Sequence, residues 1–291
     1  MKGVTVLDGE VLFHIVPAFY PAFRCKAGEC RHSCCRGWEI DIDENTLSAY
    51  QCLPGAWGER LRASIVKEED DTAHFRLTEE EENCPFLRPD GLCDVILALG
   101  EDALCDICAL HPRFYECIGP YELCGLGLSC EAVCELLLDL SHPLTFLCEE
   151  TGEELSLPAL LSRLGFGASE KALTFTPVED MHAMLRRLEK TEPIDALWTR
   201  RLGEIRQKIT SGIPEIPEGA IYDRMLRYIL YRTAEKIPEA GLPAVLAFGR
   251  ESVSFIALED ALFGFDAEHL RRWSEQIEYS TENVDFLLSC L

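Results

Sequence analysis

Basic side chains are scarce in this sequence. Lys and Arg together number 27 in 291 residues, against 51 Asp and Glu, for a formal net charge of −24. A surface of that sign repels phosphate, which argues against nucleic-acid and anionic-membrane partners and favours basic ones. Long apolar runs are missing as well: no stretch reaches the roughly 18–20 apolar residues that span a bilayer. The opening segment, MKGVTVLDGEVLFHIVPAF, is interrupted by Asp8 and Glu10. It has neither the unbroken apolar core nor the small-residue cleavage site of a secretory signal, so a cytoplasmic protein is expected. No glycine-rich GxGxxG loop follows a strand-like run, and Gly125-x-Gly127 is too short to stand for one, so no Rossmann-type nucleotide site is legible. There is no repeat of 20–50 residues and no low-complexity tract.

What is present divides the chain in two. Apolar residues make up 47% of it, enough for a buried core, and the length allows one large domain or two ordinary ones. Of 15 cysteines, 14 precede residue 150 and only Cys290 follows it. Residues 1–150 carry 28 acidic and 11 basic side chains, net −17, and residues 151–291 carry 23 and 16, net −7. The expected organisation is a cysteine-rich domain over 1–150 and a helical domain over 151–291. In a reducing cytosol, clustered thiols are better candidates for metal ligands than for structural disulfides.

The fold class expected is mainly α: a metal-stapled cysteine-rich half with short strands and loops, then an all-helical half. Residues 1–24 are apolar and aromatic and read as an extended lead-in packed on the core. Asp43 or Asn45 is placed to cap a helix, because a side-chain oxygen can accept from a free helical N–H. The alternation TAHFRL, between acidic runs, predicts a strand or hairpin arm, and the run EEEE at 79–82 predicts a solvated face. Pro89-Asp90-Gly91 predicts a turn, VILALG a short helix closed by Gly100, residues 101–110 a further helical turn, and AVCELLLDL at 132–140 a buried helix. Beyond residue 150, TPVEDMHAMLRRLEK, IDALWTRRLGEIRQKI, AIYDRMLRYILYRTAEK and DAEHLRRWSEQIEY carry apolar residues near helical spacing, punctuated by Pro193, Gly212, Pro214, Pro217, Gly241, Pro243 and Asn283.

The cysteines stand at ordered spacings: Cys25-x4-Cys30-x3-Cys34-Cys35, then Cys84-x8-Cys93, then Cys105-x2-Cys108. Two thiolates one turn apart can face one ion, which is why CxxC suits metal. Adjacent side chains are expected to diverge, so the Cys34-Cys35 pair better serves a multinuclear cluster or two neighbouring sites. A [4Fe–4S] cluster requires four thiolates, or three if one iron is left open, and structural zinc requires four ligands. Cysteine is otherwise a small hydrophobe, and that role is assigned to Cys52, Cys117, Cys124, Cys134, Cys148 and Cys290. Cys130 stands between the two groups. Cys30-x3-Cys34 begins the Cys-x3-Cys-x2-Cys signature of radical S-adenosylmethionine enzymes, but Gly37 occupies the third position.

The segments CKAGECRHSCCRGWEIDIDE at 25–44, CPFL at 84–87, GLCDV at 91–95, LGEDALCDICALHPRF at 99–114 and GLGLSCEAVCELLL at 125–138 resemble the bacterial flagellin lysine-N-methylase family, a branch of cysteine-rich proteins described as zinc- or iron-chelating. The resemblance covers roughly 25–140. It implies metal ligation by Cys25, Cys30, Cys34, Cys35, Cys84, Cys93, Cys105, Cys108 and Cys130, and it makes Cys134 a local variation. It further implies an iron–sulfur cluster, [4Fe–4S] or alternatively zinc, with S-adenosylmethionine as methyl donor and lysine-bearing proteins such as flagellin as substrates. The competing function is a non-enzymatic zinc- or iron–sulfur-binding interaction module, favoured by the lack of a legible donor pocket and base.

Other residues carry two readings each. His111-Pro112-Arg113 either supports the metal site and orients an anion or simply closes a loop. His32 is a ligand or a solvated loop residue. Trp38, Phe114 and Tyr115 line an alkyl-ammonium pocket or pack the core.

Overall fold

The computed structural model describes residues 6–7, 10–67, 72–78 and 82–291. The acidic stretches 68–71 and 79–81 lie outside the described residues, and most of the EEEE run with them. The chain divides into two compact units, Arg24–Pro112 and Met1–Phe23 with Arg113–Leu291. This division follows strand pairing instead of composition, so residues 113–150 group with the helices beyond them rather than with the cysteine-rich segment.

Before that segment, β1 (Val6–Leu7) pairs antiparallel with β2 (Glu10–Val11), and β3 (Phe13–Pro17) follows. The Arg24–Pro112 unit then begins with an irregular loop. Asp43 caps α1 (Glu44–Cys52), accepting from the Thr46 N–H at 2.9 Å, as its position predicts. Helix α2 (Gly55–Ala63) leads into β4 (Ile65–Val66), which pairs antiparallel with β5 (His74–Phe75), the arm expected from TAHFRL. Two short helices complete the unit: α3 (Asp94–Leu99), closed by Gly100 at φ 89°, and α4 (Asp106–Leu110). Its core gathers Ile42, Tyr50, Leu61, Phe75, Phe86 and Val95. Arg60 lies 4.9 Å from the rings of both Trp57 and Phe86 and pairs with Asp94 at 2.7 Å, fastening α2 to α3.

The other unit is built on a five-stranded sheet of order β6 (Arg113–Ile118), β7 (Tyr121–Leu126), β3, β8 (Phe146–Cys148) and β9 (Glu154–Leu155). The lead-in therefore supplies the central strand, parallel to β7 and antiparallel to β8. Gly119, at φ 57°, makes the turn between β6 and β7, a hairpin that the sequence reading missed. Helix α5 (Glu131–Leu138) is the one expected from AVCELLLDL. Helices α6 (Leu157–Arg163), α7 (Met181–Leu188), α8 (Ala196–Lys208), α9 (Ala220–Arg232), α10 (Ile237–Ala240), α11 (Leu242–Phe263), α12 (Ala267–Trp273) and α13 (Thr281–Ser289) follow, in keeping with the expected helical half. A π-helical turn, Ser274–Glu278, joins α12 to α13. Among the described residues, no helix is long and apolar enough to cross a membrane.

Helix α9 is pinned to the sheet by two buried tyrosines. The Tyr228 hydroxyl accepts the Leu126 N–H at 2.8 Å and meets the Leu126 carbonyl at 2.7 Å. The Tyr231 hydroxyl lies 2.7 Å from the Ile15 carbonyl and 2.9 Å from that of Cys124, while its ring stacks on Phe146 at 4.4 Å. Tyr228→Phe keeps the ring but strands buried peptide groups, which costs about 1–3 kcal/mol. We expect a correspondingly lower urea midpoint with an unchanged slope. A midpoint equal to wild type would show that the hydroxyl is not a structural tie.

Candidate metal centre

The cysteine groups are brought together by backbone pairing in the Arg24–Pro112 unit. The Cys25 thiol accepts the Ala27 N–H at 3.3 Å, and a 3₁₀ turn (Ala27–Glu29) follows. Gly28 packs against the Pro89-Asp90-Gly91 turn so closely that a Cβ on it would stand 2.4 Å from the Asp90 carbonyl oxygen. Only glycine permits this approach, which sets the first cysteine group beside the turn preceding Cys93. Further along, the Cys84 N–H donates to the Cys35 carbonyl at 2.8 Å, and the Gly37 N–H donates to Glu82 at 3.0 Å. Leu87 and Cys93 bridge across the turn, and the Asp94 N–H donates to Phe86 at 2.9 Å.

Cys93 and Cys105 occupy the N-cap positions of α3 and α4, where the helix dipole favours a thiolate. Cys108 lies in the first turn of α4, its N–H donating to the Cys105 carbonyl at 3.0 Å, so the CxxC step is a single helical turn. The Asp43 carboxylate that caps α1 also accepts the Asp106 N–H at 3.0 Å and so ties α1 to the start of this helix. These two bonds hold the Asp43 carboxyl below its ordinary range. The Tyr50 hydroxyl adds a 2.6 Å bond to the Ala103 carbonyl.

Five thiols from three sequence groups share one core: Cys84 and Cys105 buried, Cys35, Cys93 and Cys108 packed against them. Their ionisation is graded. A hydrogen bond with Cys34, helped by Ser33 and Arg36, draws Cys35 down to about 7. The bond between Cys108 and Cys105 lowers Cys105 at the expense of Cys108, which is raised. Burial pushes Cys84 up to about 12 and raises Cys93. Such a set suits a thiophilic ion or an iron–sulfur cluster by its donor chemistry. Among the described residues, however, no three Cys, His, Asp or Glu side chains are set to hold one ion. The donors are gathered without forming a ligand shell.

The remaining residues singled out from the sequence fall elsewhere. Cys25 and Cys34 are exposed and Cys30 half-buried on the loop before Ile40. Cys130 belongs to the other unit, at the N-cap of α5. His32 is exposed, and His111, half-buried, follows α4 and precedes Pro112 through a cis peptide bond. Arg113 opens β6 with its guanidinium 5.5 Å from the Phe23 ring. Phe114 is a core residue under Arg232 at 4.0 Å, Tyr115 on the same strand is exposed, and Trp38 is half-buried.

Of the six cysteines assigned to the core, Cys124, Cys134 and Cys148 are buried, and the Cys134 thiol donates to the Leu128 carbonyl at 2.9 Å. Cys52, Cys117 and Cys290 are exposed, which corrects the core assignment for those three. Each lies near the end of its element, where the apolar context in sequence does not report which side faces solvent.

No family model matches the chain, and no solved structure matches it. Over 143 residues, 48% of the chain, it is 29% identical to a lysine-N-methylase of Salmonella typhimurium and equally to one of Salmonella choleraesuis. The match spans 34% of each of those proteins, so the chain covers about a third of the curated methylases it resembles. The same identity and length relate it to the flagellar biosynthetic protein FliU of Salmonella muenchen, over 80% of that protein. Through that shared half, the chain is similar to proteins named lysine-N-methylase and to one named for flagellar biosynthesis, in line with the resemblance of its ordered cysteine groups.

Proposed function

We propose that the protein is a metal-cluster-containing protein-lysine N-methyltransferase that acts on flagellin-like substrates with S-adenosylmethionine as donor. The observation that carries this reading is the likeness to two proteins named lysine-N-methylase and one named for flagellar biosynthesis. Supporting it is the convergence of Cys35, Cys84, Cys93, Cys105 and Cys108 in one small core. These residues would hold the metal, with Cys25, Cys30 and Cys34 on the loop leading to them. A bound cluster would supply folding energy to the unit and, if one iron is left open, a Lewis-acid position.

Methyl transfer to lysine is a displacement. The amine lone pair forms the new N–C bond, the S–C bond of the sulfonium breaks with its electron pair left on sulfur, and the resulting ammonium loses a proton. The amine must first be neutral, although its ordinary pKa is about 10.4. A site that desolvates the amine or offers a base is therefore required.

A net charge of −24 attracts a lysine-bearing surface. The attraction should fade as salt screens it, with a Debye length of about 8 Å at physiological ionic strength. We expect binding to flagellin-like protein to weaken from 50 to 500 mM salt. Methylated lysine, read by mass spectrometry, should appear only with donor and metal-loaded protein. Salt-independent binding would remove the electrostatic part of this account. Metal-loaded protein that methylates no lysine in the presence of donor would favour the interaction module instead.

A further inference from the structure

Four large apolar side chains stand exposed along one segment of the Arg24–Pro112 unit: Ile96 and Leu97 on α3, Ile107 and Leu110 on α4. Each keeps between 38 and 57% of its surface accessible, and among the described residues the unit exposes no other large hydrophobic side chain. Apolar residues exposed singly are ordinary, but here all four fall within the span 96–110. The remaining apolar positions of the segment are taken up by the core: Val95 and Leu99 of α3, then Ala103, Leu104, Cys105 and Cys108. The connection between the helices, a 3₁₀ turn (Glu101–Ala103), is fixed from within by the Tyr50 bond to the Ala103 carbonyl at 2.6 Å. The start of α4 is fixed by the Asp43 bond to the Asp106 N–H at 3.0 Å. The exposed residues are thus carried on an anchored backbone.

The charge of the same segment has one sign. Residues 89–112 contain Asp90, Asp94, Glu101, Asp102 and Asp106 and no Lys or Arg. Asp90 and Asp94 are engaged by Arg88 and Arg60, at 3.0 and 2.7 Å. Glu101, Asp102 and Asp106 are exposed, and their carboxylates make no ion pair among the described residues. Two of these acids lie on the turn between the helices, and the third precedes Ile107 directly. Apolar side chains and unneutralised carboxylates are therefore interleaved along one stretch of chain.

We propose that the outer side of α3 and α4 docks a basic amphipathic segment of a protein partner. Its apolar side chains cover Ile96, Leu97, Ile107 and Leu110, and its Lys or Arg side chains meet Glu101, Asp102 and Asp106. Charge complementarity selects this occupant: a second copy of the chain, itself net −24, would set acid against acid. On the function proposed above, on which this last step rests, the docked segment belongs to the lysine-bearing substrate. The reacting lysine is not among the docked cations, because a neighbouring carboxylate holds an ammonium in its charged form. The surface grips the substrate by a stretch apart from the lysine to be modified.

Calorimetry on the full chain tests this with two probes, an amphipathic helical peptide of Leu and Lys and a flagellin. Leu97→Asp and Leu110→Asp should each weaken binding of both probes about tenfold, although each adds negative charge. A purely electrostatic encounter would instead keep or gain affinity in these variants. Leu197→Asp, at a side chain 52% exposed on α8 of the other unit, should bind as wild type does. Glu101→Gln combined with Asp102→Asn should weaken binding at low salt and flatten its salt dependence. All the replaced side chains are exposed, and an unchanged urea midpoint checks that each variant folds. Absence of peptide binding, wild-type affinity in both α3 and α4 variants, or an equal loss in Leu197→Asp overturns the docking surface. Self-association that Leu97→Asp abolishes gives the surface to a second copy and overturns it too. If the variants weaken binding of the peptide but not of the flagellin, the surface stands and its assignment to the substrate falls. Lysine methylation, measured separately with donor, keeps the two readings apart. Methylation with wild-type docking in both variants removes the surface alone, and docking without methylation removes the methyltransferase reading alone.

Discussion

If the metal proposed above is bound, Cys84→Ser and Cys108→Ser should release it and unfold residues 24–112 in the same step. Both thiols lie in the small core of that unit beside Phe75, Phe86 and Val95. A core of this size supplies little stability by itself, and the apparent binding energy of a structural metal reaches about 10–16 kcal/mol in small zinc domains. Removing one ligand therefore removes folding energy. A buried serine alone costs only about 1–3 kcal/mol, so loss of core packing is separable by magnitude. Cys34→Ser supplies a second separation, because Cys34 is exposed and no core packing is lost with it. It should also release metal, since its thiol is bonded to Cys35. Cys52→Ser and Cys290→Ser, both exposed and outside the spaced groups, should retain the metal.

The measurements are iron, zinc and acid-labile sulfide content, the visible spectrum of anaerobically isolated protein, and amide exchange over 24–112. Brown protein with sulfide identifies an iron–sulfur cluster; colourless protein with stoichiometric zinc and no sulfide identifies zinc. Equal behaviour of all five variants would overturn the division of the thiols argued from their positions.

Stability of the helical unit should fall as pH rises through neutrality, opposite to the usual carboxylate behaviour. Glu259, buried in the C-terminal part of α11, is pushed up to about 7 by burial, and the charges of His269 and of Arg201, 3.0 Å away, do not offset it. Burial pulls the neighbouring His269 ring down, but its 2.7 Å contact with Asp260 and the field of Glu259 outweigh this and raise it. Asp260 also accepts the Tyr222 hydroxyl at 2.9 Å, and Arg272 adds positive charge nearby.

Both Glu259 and His269 bind protons more tightly when folded. The stability Glu259 contributes is complete below its unfolded value of about 4.3 and is lost as pH rises to about 7. The His269 contribution is complete below its unfolded value of about 6.5 and is lost as pH rises through its higher folded value. The Glu259 shift corresponds to roughly 3 kcal/mol between pH 4.5 and 7.5. Exchange protection of α11 amides should decline across that window. In Glu259→Gln the decline should be halved or more. A flat profile in the wild type would show that the carboxyl ionises without penalty.

Part of this site is legible in one dimension. The spacings Cys84-x8-Cys93 and Cys105-x2-Cys108 point to metal because a turn and a helical step set how far apart such thiols lie, and the structure places all four in one core. Asp43 is recognisable as a cap, but its second bond, to Asp106, joins residues that only the fold brings together. Cys130 continues the series in sequence, yet the chain places it in the other unit.

The sequence by itself determined the helical character of the second half, the hairpin arm at TAHFRL, the cap at Asp43 and the stop at Gly100. Each follows from local periodicity or from a backbone preference of one residue. Only the tertiary structure decided that the apolar lead-in is the central strand β3, since a strand's neighbours are set by pairings more than 100 residues away. It also decided that α11 is the longest helix. Residues 252–260 are buried on every face, so no polar side marks a helical period. The same holds for the division of the chain. Composition changes near residue 150, but compact units form where backbone hydrogen bonds close, and β6 and β7 close onto β3.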